Sequence, residues 1–136
     1  MSWRTAKSLF KLRDQINARA PQRSKASDGT IGDARHRSST SDHNPWVTDG
    51  SVGVVTALDI THDPEHGCDC EELVQKLINS RDVRIKYIIW NRQIISSSVR
   101  PWTRRAYNGP NPHTRHFHLS VKPEKVFYDL QNRWSI

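Results

Sequence analysis

An α+β fold, with a small antiparallel sheet lining a cleft and helices flanking it, is what the sequence predicts for these 136 residues. Three observations predict it. His116-Phe117-His118-Leu119-Ser120-Val121 alternates between polar and apolar. Successive strand side chains point to opposite faces, so His116, His118 and Ser120 share one face and Phe117, Leu119 and Val121 the other. The β-branched run Gly53 to Thr61 reads as another strand. Leu73, Val74, Leu77 and Ile78 recur at helical spacing over Asp69 to Asn79, with Asp69, Glu71 and Glu72 in the first turn, where the helix dipole favours acids.

In chain order, Leu9, Leu12 and Ile16 set against Trp3, Ala6, Phe10, Arg13 and Asn17 predict a helix over about residues 4 to 19, ended by Pro21. Gln22 to Pro45 is polar, carries the turn signal Asp28-Gly29 and has no apolar period, so it reads as a long loop with His43 at its edge. Along the next strand Val55, Ala57 and Asp59 fall on one face and Val54, Leu58 and Ile60 on the other. Ile85 to Trp90 and Gln93 to Ser97 flank Asn91-Arg92 and read as a hairpin central in the sheet. Arg100 to Thr114 is a loop carrying Trp102 and Tyr107, and Pro123-Glu124 starts a last helix through Trp134. Residues 1–136 read as a single domain without repeats.

Composition sets bounds on function. No apolar run approaches the roughly 18 residues that cross a membrane. Lys7, Lys11 and Arg13 interrupt Leu9-Phe10 and Leu12, so the N-terminus lacks a signal-peptide pattern. The expectation is synthesis in the cytoplasm, with release or dedicated export if the protein acts outside. Of the net charge of +7, residues 1–40 hold +6, from nine Lys and Arg less three Asp. Such a region suits a polyanion: nucleic acid, teichoic acid or an anionic membrane surface. Cys68 and Cys70 are the only cysteines and too close for an unstrained disulfide, which favours a reduced compartment.

Chemistry concentrates in three places. Ser41-Asp42-His43, the strand carrying Asp59 and the His116-x-His118 strand together supply two imidazoles and one carboxylate, a set that holds zinc with a position open. A carboxylate with the apolar neighbours of Asp59 needs a cation or several donors. His116 shares the face of His118 and is a catalytic candidate beside the metal; His113 is a second. His62, His66, Cys68 and Cys70 fit no common zinc spacing and read as a strand-to-helix loop with free thiols.

Ser41-x-His43, Ala57-x-Asp59 and His116-x-His118 resemble, in that order, the motifs of the LAS zinc metallopeptidases, which include lysostaphin-type enzymes, D-Ala-D-Ala peptidases and the hedgehog fold. His113-x-x-His116-Phe117-His118 is most similar to the penicillin-insensitive murein endopeptidases, and Ser41 to His43 to the D-Ala-D-Ala branch. The wider run from Ser27 to Pro64 is similar to small phage and prophage proteins of endolysin type, and the likeness covers most of the chain. In the family the first His and the Asp stand closer than the sixteen positions separating His43 and Asp59, so the residues between must form a hairpin or loop. Where the D-Ala-D-Ala branch has a Glu, this chain has Arg115.

The resemblance implies a monomeric peptidoglycan peptidase with one zinc per chain held by His43, Asp59 and His118. Zinc lowers the pKa of a bound water toward roughly 7 and polarises the scissile carbonyl. With no Glu, proton transfer and oxyanion support fall to His116 and His113. Ser41, Arg37, Trp102 and Tyr107 are then substrate-binding candidates for a cell-wall peptide stem, and the basic N-terminal region attracts an anionic wall polymer. Two other classes compete: a zinc-bearing wall-binding module without catalysis, and a metal-dependent nuclease, because Asp42-His43-Asn44-Pro45 looks like the core of an HNH site. Magnesium-type chemistry favours oxygen ligands, however, and His-Asp-His favours zinc.

Overall fold

The alternation of residues 116–121 is realised as a strand buried on its apolar face, and the larger of two sheets is built around it. A computed structural model of the chain describes residues 2–30 and 41–136. The elements run β1 (Trp3–Thr5), α1 (Lys7–Arg19), β2 (Val47–Asp49), β3 (Val52–Val55), β4 (Ala57–Thr61), a 3₁₀ turn (Pro64–His66), α2 (Cys70–Ser80), β5 (Ile85–Trp90), β6 (Gln93–Ser96), β7 (Arg105–Ala106), β8 (His116–Val121) and α3 (Lys125–Tyr128). β4-β8-β5-β6-β7 form an antiparallel sheet with β5 in the middle; β1-β3-β2 form a small mixed sheet in which β1 runs parallel to β3. The architecture is α+β, as expected.

The run 53–61 is two strands in two sheets, where one was predicted. Thr56 makes the break: its N–H donates to the Asp42 carbonyl at 3.1 Å, and its carbonyl accepts from Val121 N–H at 2.9 Å. The β2–β3 hairpin fills the interval between His43 and Asp59. Gly53 lets the chain after His43 cross close by, since a Cβ there would meet the Pro45 carbonyl and ring at 2.8 Å.

Helix α2 begins as predicted, the Asp69 carboxylate accepting from the N–H groups of Glu71 and Glu72. Its buried stripe of Leu73, Val74, Leu77 and Ile78 packs toward β5 and β8. The Asn91-Arg92 turn has φ of 48° and 65°, left-handed at both central positions, as a two-residue hairpin of this hand requires. Its N–H groups donate to the carbonyls of His113 and Pro112, both at 2.8 Å. Those two bonds hold the loop that leads into β8.

Two predicted helices are corrected. Residues 3–5 form β1 and the first helix starts at Lys7, because Trp3, Arg4 and Thr5 pair with Gly53, Val54 and Val55. The last helix stops at Tyr128 and does not reach Trp134. There the carbonyls are captured by a buried arginine: Arg84 donates to the carbonyls of Leu130 (2.9 Å) and Asn132 (2.7 Å), grips both Asp82 oxygens (2.9 and 2.7 Å), and lies 3.7 Å from the Trp134 ring centre. Trp134 also exchanges hydrogen bonds with Gln15 and donates its indole N–H to the Ser8 carbonyl of α1.

Arg84→Met would remove this charge from a residue only 1% exposed and leave Asp82 and the tail carbonyls without their donor. Loss of one partner of such a buried pair costs about 3–5 kcal/mol. Urea unfolding of the variant should show a lower midpoint of that size, and a midpoint equal to the parent's would mean that the tail is held by apolar contacts alone.

Candidate metal centre

Antiparallel register brings Asp59 of β4 opposite His118 of β8, and Thr61 opposite His116. The strand after the β2–β3 hairpin thus delivers its carboxylate to the imidazole face of β8. His43 arrives from the turn at 41–44, where its own N–H donates to Ser41 Oγ at 3.3 Å. Asp42 anchors that turn: its buried carboxylate accepts from Lys86 Nζ (2.9 Å) and from the Trp46 indole N–H (3.0 Å).

Three ligand atoms converge. His43 Nε2 lies 3.2 Å from Asp59 Oδ1 and 3.1 Å from His118 Nδ1, and His118 Nδ1 lies 3.3 Å from the same carboxylate oxygen. Tetrahedral zinc with bonds near 2.0–2.1 Å needs roughly 3.3 Å between neighbouring ligand atoms. The triangle matches one face of such a tetrahedron. Despite these short distances Asp59 Oδ1 is buried without a hydrogen bond of acceptable angle. That oxygen and the two imidazole nitrogens stand close enough to share one cation.

The remaining ring nitrogens bear on the tautomers. His43 Nδ1 is 2.7 Å from the Thr30 carbonyl, which only accepts, so Nδ1 carries the proton and Nε2 is left as the ligand atom. His118 Nε2 is 2.7 Å from Ser120 Oγ, two residues along the same strand face, and its ring stacks on Tyr87 at 5.3 Å and 13°. That hydroxyl can accept from Nε2–H, and Nδ1 faces the carboxylate. The Thr30 carbonyl is held through Asp28, clamped by buried Arg23 (2.9 and 2.7 Å) and by Thr61, and through the Gly29–Asp59 bridge.

Electrostatics follow from burial. Burial alone would raise the Asp59 carboxyl, but His118 and His43 outweigh it and hold the group well below the usual carboxylate range. Burial also opposes a charge on His43, yet Asp59 wins and raises it. On the other side of the carboxylate, burial pushes His113 down to about 4, with His118 and His116 adding to the shift. His116 is lowered chiefly by burial, against the pull of Asp59. Near neutral pH the cleft therefore holds two uncharged imidazoles beside the ligand triangle.

The predicted residues separate as follows. Ser41, His43, Asp59, His113, His118 and Tyr107 line a cleft of about 300 Å³, joined by Tyr87, Ile89, Pro110 and Asn111. His116 faces Asp59 Oδ2 at 3.6 Å and opens onto an adjoining polar cavity of about 600 Å³. Trp102 packs against the apolar core and is not among the residues lining this cleft. Arg37 lies outside the described residues. Groups able to hold a metal ion, among the described residues, are His43-Asp59-His118 and Asp59-His113-His116, which share Asp59. The loop at 62–70 makes none: Cys68 and Cys70 donate to the β4 carbonyls of Thr61 and Ile60, and His62 accepts from the Cys70 N–H.

Tyr87 and Asn111 were not anticipated. Tyr87 is a half-buried aromatic in an apolar strand, and only its pairing opposite Ser120 brings it under His118. Asn111 orders His113 by accepting from its N–H (2.9 Å) and from its Nδ1 (2.7 Å); Asn-Pro-His carries no signal of that. Comparison of the chain with protein-family models, curated proteins and solved structures finds no match.

The metal-free protein should lose stability in mild acid. His113 titrates near 6.5 when unfolded and near 4 when folded, so between those values the unfolded chain binds the extra proton. Its contribution is complete above 6.5 and lost as pH falls through 4. His116 acts in the same sense, whereas His43, raised on folding, keeps its contribution throughout that window. Urea midpoints in chelator should fall across it, and His113→Asn should flatten the fall. An equal slope in the variant would assign the titration elsewhere.

Proposed function

We propose that this chain is a zinc-dependent peptidase that hydrolyses an amide bond in the peptide stem or cross-link of peptidoglycan. One observation carries the reading above all: three ligand atoms spaced for a tetrahedral cation on the wall of an open cleft, with uncharged imidazoles beside them. The motif order Ser41-x-His43, Ala57-x-Asp59, His116-x-His118 supports it, as does a hairpin where the wider interval required one.

His43, Asp59 and His118 would hold the metal, which when bound supplies the Lewis acidity that amide hydrolysis needs. The chain's own residues do the rest. His116 Nε2 takes a proton from the attacking water and returns it to the leaving amine, and Asp59 Oδ2 at 3.6 Å stabilises the imidazolium between those steps. Neutral His116 is fit for the first transfer, because a base must start unprotonated. The Thr30 carbonyl keeps His43 in its ligand tautomer, Ser120 orients His118, Asn111 orients His113, and Tyr107, edge-on to His113 at 5.9 Å, walls the stem. The basic residues near the N-terminus add salt-sensitive attraction to an anionic wall.

The expected result is loss of zinc in His118→Ala. His116→Ala should keep a tightly bound zinc while turnover on a defined muropeptide falls about 10²- to 10⁴-fold. Mass spectrometry of the digest identifies the bond. Intact muropeptides together with metal-dependent plasmid nicking that vanishes in His43→Ala would replace this reading with a nuclease. Wall binding without either activity would leave a binding module.

A further inference from the structure

Asp59 has two carboxylate oxygens, and the tight triangle uses one. Oδ1 faces His43 and His118, whereas Oδ2 faces His116 Nε2 at 3.6 Å. The rings of His113 and His116 stand edge to face at 4.9 Å, and one ligand atom each from Asp59, His113 and His116 lie within 4.8 Å of one another.

His113 is held in this place at a cost. Its φ of 56° lies in the left-handed region, which costs a non-glycine residue of order 1–3 kcal/mol and persists only where surroundings over-determine it. Three hydrogen bonds do so here: its N–H to Asn111 Oδ1, its Nδ1–H to the Asn111 carbonyl, and its carbonyl from the Asn91 N–H. Donation from Nδ1 leaves Nε2 as a bare acceptor. A loop residue strained and pinned so that a second imidazole faces an already ligand-rich carboxylate points to a ligand.

We propose that Asp59, His113 and His116 form a second, weaker site for a divalent cation of the zinc class, that Asp59 bridges the two cations, and that filling this site switches the cleft off. Nitrogen and carboxylate donors select zinc-like ions over magnesium. The spacing sets the order of filling. The first site has edges of 3.1–3.3 Å, already those of tetrahedral zinc, while the second spans 3.6 Å and up to 4.8 Å and must contract to bind. One carboxylate presenting separate oxygens can serve two cations about 3.5–4 Å apart. The inhibitory half rests on the peptidase reading, since a cation on His113 and His116 occupies the His116 lone pair that reading needs for proton transfer.

The test titrates the full-length metal-free chain with zinc alone, read by native mass spectrometry and calorimetry. The parent should take one zinc tightly and a second at least about tenfold more weakly. His113→Asn, whose new side chain tolerates the left-handed backbone but is too short to ligate, should keep the first and lose the second, and so should His116→Gln. Circular dichroism checks that both fold. A parent that saturates at one zinc, or two zinc ions retained by both variants, overturns the second site. Cleavage of a muropeptide by the parent should rise with the first equivalent and fall with the second. Cleavage that ignores the second overturns the switch, whereas no cleavage at any zinc level sinks the peptidase reading and leaves the site to be decided by the stoichiometry.

Discussion

A carboxylate enclosed by imidazoles is the constraint around which this molecule is arranged. Asp59 is flanked along β4 by Leu58 and Ile60, both in the core, and its oxygens turn toward His43, His116 and His118. A lone buried carboxylate would take up a proton, because the cost of an uncompensated charge far exceeds that of protonation. Here the imidazoles reverse that tendency and keep the group ionised. The backbone of Asp59 is equally committed, exchanging two hydrogen bonds with Gly29 on one side and pairing with His118 on the other. Neither the loop at 23–30 nor β8 can move without moving the carboxylate.

The apolar face of β8 makes that geometry rigid. Phe117, Leu119 and Val121 are fully buried, and burial of three such side chains stabilises the fold by roughly 5–9 kcal/mol at the usual 1.5–3 each. A slip of one residue between β4 and β8 would turn this face toward the cleft and drive His116 and His118 into the core. Mis-register would forfeit that burial, so core packing favours the placement of the candidate ligands. Second supports act sideways: Tyr87 stacks under His118 from β5, and the Asn91-Arg92 turn holds the carbonyls of Pro112 and His113. Hairpin and site are mechanically one unit.

Local periodicity made much of this legible in the sequence. β8 and α2 were readable because a period of two and a period near 3.6 each ran unbroken, and the ligand triangle was readable because its residue types are costly to bury without a purpose. Where distant partners decide, local pattern failed. Trp3 to Thr5 suit a helix start yet become a strand because Gly53 to Val55 offer a parallel edge. The tail after Tyr128 suits a helix yet is drawn out by Arg84, about fifty residues away in sequence. The roles of Thr30, Tyr87 and Asn111 depend on a backbone carbonyl, a strand pairing and a strained loop, none of which leaves a compositional trace.

Arg115 bears on why, on the peptidase reading, proton transfer falls to histidine. It is exposed, it lines the adjoining polar cavity and not the cleft, and its carbonyl accepts from the His62 N–H where β8 begins. His113 and His116 stand beside Asp59 instead, and burial keeps both uncharged near neutral pH. On the peptidase reading, two neutral imidazoles replace one glutamate and leave the cleft without a second negative charge beside Asp59. Paired imidazoles against a shared carboxylate also form a ligand set of their own. Catalytic competence and sensitivity to excess cation would then have one structural cause.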